Sequence, residues 1–316
     1  MEIFIISILS LALAFNVGAN NAASSMSTIF GAKIMSKIGT VSLAFIFVFL
    51  GASLFGEQVV ETVGKELLNT DFLSLNSYFI YLILIIPIIA IIIANRFKIP
   101  IATTHIVVCT IFGIGLSYNT LNTIKTIEIV AWWVATPIII WLLNFLIGKY
   151  IYFELIDKLI SLDGRKTQKI SFTLKLLLIS SACFLALFAG ANNAANAAAP
   201  MVGLNLISAN DAALISGFFM ALGALLFGGT IIENIATKIT SLSIIRAISV
   251  NFTGGTFLAV ASLYGIPISM AEIITSGIIG FSCSTSGFSE TFKKKSVFQI
   301  VSFLMIKKKK NILKKI

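Results

Sequence analysis

The hexapeptide Gly-Ala-Asn-Asn-Ala-Ala occurs twice, at 18–23 and 190–195, each time inside a stretch otherwise apolar enough to enter a lipid bilayer. The register between the copies holds well beyond them. Gly51, Leu54, Phe55 and Gly56 recur at the same spacing as Gly223, Leu226, Phe227 and Gly228, and Glu61 recurs as Glu233. Further on, Ile99-Pro100-Ile101 returns as Ile266-Pro267-Ile268, at a spacing five residues shorter because the intervening loop has contracted. A single shared hexapeptide is a weak signal, but a register kept over such a distance marks a duplication. The chain is therefore constrained to two similar halves with a paired polar site.

Composition identifies the solvent of that site. Hydrophobic residues make up 58% of the chain and charged residues 11%, against roughly 25% charge in soluble domains. Near-continuous apolar stretches occupy 3–31, 39–56, 78–95, 99–118, 128–153, 172–204, 212–232, 242–264 and 266–283. Each is long enough, at 1.5 Å per residue, to cross a hydrocarbon core of about 30 Å as a helix. The pattern is continuous rather than alternating, which reads against a β-barrel. These features predict an all-α integral membrane protein with about nine to ten spans, multi-pass in the cell membrane with the bilayer as its partner.

A net charge of +10 would suit a nucleic-acid binder, but the basic residues are sorted by loop instead of gathered on one soluble domain, so no nucleic acid is expected. Of the 23 Lys and Arg, all but Lys65 and Lys125 fall in or beside the loops after spans 1, 3, 5, 7 and 9. By the positive-inside rule those loops are cytoplasmic and the amino terminus is outside. Five spans separate the two hexapeptides, and an odd number means that the halves enter the membrane with opposite orientation. The expected organisation is a first inverted repeat at 1–156, a cytoplasmic linker at 157–171, a second repeat at 172–292, and a basic cytoplasmic tail at 293–316 carrying a short interfacial segment. No Lys or Arg precedes the first apolar run, so a cleaved signal peptide is the poorer reading. Cys109, Cys183 and Cys283 stand singly, which suggests neither a disulfide framework nor a transition-metal site.

Three polar constellations interrupt the apolar pattern. In the first, Asn20 and Ser24, like Asn192 and Asn196, are spaced i, i+4, so a helix through them lines up their side chains. Gly18 and Gly190 would let the backbone depart from helical geometry there and aim free amides into a cavity, which is an anion site. The alternative is that the small residues simply allow close helix packing, with Asn as interhelical glue. In the second, Pro100-Ile101-Ala102-Thr103-Thr104-His105 offers a proline-initiated helix with two hydroxyls and an imidazole in its first turn; its counterpart reads Pro267-Ile268-Ser269-Met270-Ala271-Glu272. The third is the pair Glu61 and Glu233, functional candidates if they lie within the membrane and ordinary interfacial carboxylates if they do not.

These motifs resemble the inorganic phosphate transporter (PiT) family, whose halves each carry Gly-Ala-Asn-Asp-x-x-Asn and Pro-x-Ser-Thr-Thr-His. The resemblance runs from about Leu9 to Phe292. It implies an inverted-repeat helical fold with broken or re-entrant helices and cation-driven uptake of inorganic phosphate, with sodium or a proton as coupling ion and no other cofactor. It further implies that Asn20, Asn192, Asn196, Thr103 and Thr104 help line the anion and cation sites. Asn21, Ser24, Asn193 and Ser269 complete the expected substrate-binding set, and Asn20, Asn192, Glu61 and Glu233 are the coupling-ion candidates. The chain departs from the family where Asn21 and Asn193 replace aspartate, Ser24 and Ala102 replace Asn and Ser, and Met270-Ala271-Glu272 replaces Thr-Thr-His.

The leading expectation is thus a secondary phosphate transporter and not an enzyme. A sulfate or other oxyanion permease is the rival, because Asn offers donors to a fully ionised anion that aspartate repels. A non-transporting membrane anion sensor is the alternative of another class. A homo-oligomeric assembly is left open.

Overall fold

The apolar stretches fold largely as helix, in a computed structural model that describes residues 2–68, 78–97, 101–152, 154–155, 164–239 and 243–286. The principal helices are α1 (Glu2–Val17), α2 (Lys37–Phe55), α3 (Tyr78–Phe97), α4 (Thr103–Tyr118), α5 (Thr123–Leu146), α6 (Gly164–Asn193), α7 (Ala195–Gly203), α8 (Ala209–Ile239), α9 (Ile244–Leu263) and α10 (Met270–Ser286). Single turns of π-helix follow α1 (Gly18–Ala22) and α5 (Ile147–Tyr152). Helix starts are set by short polar side chains: Ser36, Asn122 and Ser243 accept from the amides of Gly39, Lys125 and Arg246. Left-handed residues end two of them, Asn119 after α4 and Gly265 just past α9. Outward-facing side chains such as Phe4, Ile124 and Leu226 are exposed, as a lipid-facing surface requires.

Both halves follow one plan: α1, α2, α3 and α4 correspond to α6, α8, α9 and α10. Their packing is reciprocal. A Cβ on Gly18 would fall 1.9 Å from the carbonyl oxygen of Met220, and one on Gly190 would fall 2.1 Å from that of Val48, the counterpart of Met220. Likewise a Cβ on Gly51 would strike the Leu187 oxygen at 1.6 Å and one on Gly223 the Phe15 oxygen at 2.0 Å. Each half's first helix therefore lies against the second helix of the other half. Contacts in which i meets j and the equivalent of i meets the equivalent of j are the mark of a two-fold axis. The axis runs between the two repeats.

Two expectations from the glycines and the span lengths need correction. Gly190 does not break its helix, since the Ala194 amide still bonds the Gly190 carbonyl at 3.1 Å and the ladder resumes with Ala198 to Ala194 at 3.0 Å. In the first half the departure is one turn of π-helix and not a break. The missing Cβ serves close approach instead, because the facing carbonyls leave no room for a methyl group.

The true interruptions precede α4 and α10, where Ile101–Ala102 and Ile266–Ser269 are not helical. Among the described residues, six helices are long and apolar enough to cross a membrane, while α4 has only 16 residues. At 1.5 Å per residue it covers about 24 Å, because part of that apolar stretch is coil. The expected linker at 157–171 is helical from Gly164 onward. Residues 156–163 and the expected basic tail at 293–316 lie outside the described residues.

Candidate anion site at the repeat junction

Non-helical backbone buried inside a membrane protein must find partners for its peptide groups, and in the second half two side chains supply several of them. Asn192 donates from Nδ2 to the carbonyl of Ile266 at 2.8 Å and to Ser262 Oγ at 3.3 Å, while its Oδ1 accepts from the Ile268 amide at 3.0 Å. Trp133 Nε1 donates to the Pro267 carbonyl at 2.8 Å. Asn192 is fully buried and holds the segment that launches α10; its amide is committed to backbone. Asn20, its counterpart, is also buried, but Lys98, Ile99 and Pro100, which open the corresponding segment, lie outside the described residues.

The next residue in each copy does something different. Asn21 Nδ2 donates to Asn193 Oδ1 at 2.9 Å and also to Thr103 Oγ1. Asn21 and Asn193 are equivalent positions, so their contact places them on the two-fold axis. Thr104 Oγ1 donates to the same Asn193 oxygen at 3.3 Å, and Asn196 Nδ2 donates to it at 3.1 Å and to Thr104 Oγ1 at 3.3 Å. Asn193 turns its own Nδ2 to the Ala189 carbonyl at 2.8 Å. Three donors thus converge on one carbonyl oxygen, in a cluster whose members Asn21, Thr103, Thr104, Asn193 and Asn196 are all buried. Asn196 Oδ1 has no hydrogen-bond partner among the described residues.

Sequence-predicted residues therefore divide into a cluster and a periphery. Ser24 turns its hydroxyl to the Asn20 carbonyl at 2.6 Å. Ser269 Oγ accepts from the Glu272 amide at 3.5 Å, which caps α10, whereas Ala102 gives α4 no side-chain cap. The first turn of α4, with no side-chain cap from Ala102, sets the positive end of a helix beside the cluster. Glu61 and Glu233 stand apart from it, about half exposed and paired with Lys65 at 3.7 Å and Lys37 at 2.9 Å.

Two further polar networks went unnoticed in the sequence. Asn144 on α5 donates to Thr253 Oγ1 at 2.8 Å and accepts from Ser249 Oγ at 2.7 Å. Asn251 on α9 donates to Thr28 Oγ1 at 3.0 Å and Ser181 Oγ at 3.4 Å. A lone Asn within an otherwise apolar run is the signal that marks such interhelical bonds.

Chemically, the cluster is a set of neutral donors at an uncapped helix start, suited to a tetrahedral oxyanion. For a hard cation it offers amide and hydroxyl oxygens and no carboxylate. Buried polar groups at the junction of two helical repeats stand where membrane transporters of the secondary class place their substrate and ion sites. Residues 17–306 match the phosphate transporter family, and the chain belongs to it. It is 31% identical over 280 residues to the sulfate permease CysP of Bacillus subtilis, covering 88% of this chain and 76% of that one. A putative phosphate permease of Thermococcus kodakarensis is 27% identical, with 86% of each chain covered. Among solved structures, a sodium-dependent phosphate transporter matches the fold with a TM-score of 0.79 at 24% identity, over 96% of both chains.

Proposed function

We propose that this protein is a secondary transporter that moves inorganic phosphate across the cell membrane by alternating access, coupled to a cation gradient. The observation that carries the reading is the convergence of Asn21, Thr104 and Asn196 on Asn193 Oδ1. A phosphate oxygen needs the same donors, and turning the Asn193 amide away would hand them over. The phosphate transporter family and the sodium-dependent phosphate transporter of the same fold support both substrate and cation coupling. The anion crosses without covalent change, so the protein is a carrier and not an enzyme.

Sulfate is the second reading, and a specific observation favours it: the cluster holds Asn21 and Asn193 where the family carries aspartates, and the sulfate permease of B. subtilis is a relative. Uptake of labelled phosphate and sulfate into proteoliposomes tests both. Thr104→Val removes one donor, worth about 0.5–1.5 kcal/mol, and is expected to weaken half-saturation up to about ten-fold. Met270→Val, at the neighbouring position in the other half, is expected to change it about two-fold or less. Equal effects of the two variants would count against the cluster, and normal transport by Asn193→Leu would remove it from the path.

A further inference from the structure

We propose that the coupling ion is a proton, carried by the pair His105 and Glu272; this rests on the transport reading above. His105 lies in the first turn of α4 and Glu272 in that of α10, at matched places in the Pro-initiated motifs. His105 Nε2 and Glu272 Oε1 are 3.3 Å apart. Residues that touch their own counterparts lie on the two-fold axis, so this pair and Asn21–Asn193 share it. The two pairs are linked through α4: Thr104 bonds Asn193 and Asn196, and the next residue meets Glu272.

The pair is built to hold one proton. Its contact lies within ion-pair distance but outside hydrogen-bond geometry, and His105 Nε2 and Glu272 Oε2 are buried atoms without a hydrogen-bond partner among the described residues. With imidazole and carboxylate both deprotonated, one negative charge stays on a carboxylate side chain that is only 27% exposed, which is costly. Adding one proton makes the pair neutral, as imidazolium with carboxylate or as imidazole with carboxylic acid. The Trp133 ring, 4.2 Å from the imidazole, covers it on the α5 side.

The charged groups of α5 and α9, which pack around the pair, are engaged or distant. On α5, Lys125 pairs with Glu66 and Glu128 at the helix start, and Lys125 is eight residues, about 12 Å, from Trp133. On α9, Arg246 bonds Thr285 and lies over the Phe281 ring, near the far end of α10 from Glu272. Arg96 closes α3, and Cys109 and Cys283 are the free thiols of α4 and α10 themselves.

Coupling follows from charge. A proton taken up from outside removes the negative charge beside the anion cluster and favours anion binding; its release to the cytoplasm restores that charge and expels the anion. The linkage is reciprocal, so bound anion also favours the proton. No other bond is made or broken.

The test uses the full chain in proteoliposomes, with labelled sulfate beside phosphate because sulfate does not titrate in this pH range. An inward proton gradient is expected to drive several-fold accumulation in the unmodified protein. In Glu272→Gln, exchange at equal anion concentrations persists while gradient-driven accumulation falls to the level without a gradient. Accumulation that follows a sodium gradient and ignores the pH gradient overturns the proposal, as does normal proton-driven accumulation by Glu272→Gln. If the unmodified protein exchanges neither anion, the transport reading itself fails. A second measurement needs no transport. With Trp132 and Trp141 replaced by Phe, Trp133 fluorescence should titrate with pH through quenching by the adjacent imidazolium, and His105→Gln should abolish the titration. An unchanged titration in His105→Gln would exclude the pair as the titrating group.

Discussion

At the scale of single residues, the contact between Asn21 and Asn193 explains how this chain differs from the pattern it resembles. Two aspartates at these positions would set carboxylates at hydrogen-bond distance, and like charges that close require a proton or a cation between them. Here an amide N–H of Asn21 fills that role at 2.9 Å. Restoring Asp at both positions is therefore expected to strengthen sodium dependence and to shift preference from sulfate toward protonated phosphate. Competition between the two anions, measured across pH 6 to 8 in the parent and the double variant, checks this. A parent that excludes sulfate as strongly as the double variant would mean that the Asn pair does not set selectivity. The candidate site was legible as a set of residue types, because amides in duplicate within apolar segments have few other reasons to be there. Their separate roles were not legible: Asn192 and Asn193 are neighbours in sequence, but one clamps backbone and the other faces the axis. The i, i+4 spacing cannot distinguish them, since the difference depends on what the other half presents. The meeting of His105 with Glu272 was hidden for the same reason.

At the scale of elements, the helices were readable from apolar runs alone, whereas their starts were not. The coil before α10 is as hydrophobic as a helix, with Ile266, Pro267 and Ile268 all buried, so hydropathy does not separate the two. What permits coil there is Asn192, a tertiary partner. Asn192→Leu would strip the segment of those bonds, and lost stability is the expected consequence. The glycines were readable as special but for the wrong reason, flexibility in place of contact. Gly18→Ala and Gly190→Ala should each destabilise the fold by about 3 kcal/mol, the upper end for overpacking, because the facing atom is a backbone carbonyl. Gly113→Ala has nothing within 4 Å and should be neutral or stabilising by up to about 1 kcal/mol. Thermal unfolding of the purified protein in detergent would compare them. Similar midpoints for all three would show that the two helix pairs are not held at carbonyl contact.

At the scale of the whole molecule, the two-fold plan is duplicated in shape but not in charge. Glu61 and Glu233 are counterparts, but Glu61 pairs with Lys65 of its own helix region while Glu233 pairs with Lys37 of the other half. The only two basic residues assigned to the outer side, Lys65 and Lys125, are both ion-paired, with Glu61 and with Glu66 and Glu128. The outer face thus offers little uncompensated positive charge, and the positive-inside rule assigns the other basic residues of the sequence to the cytoplasmic side. Inverted repeats leave orientation undetermined by shape, since turning the molecule over nearly superposes its halves; charge must decide it. In a background lacking Cys109, Cys183 and Cys283, a single cysteine at 157–163 is expected to react with membrane-impermeant thiol reagents only from the cytoplasmic side. Lys65→Cys, which removes just an exposed surface pair worth about 1 kcal/mol or less, is expected to react only from outside. Labelling of both from one side would refute the odd number of spans between them, and labelling of each from the opposite side would turn the whole protein over.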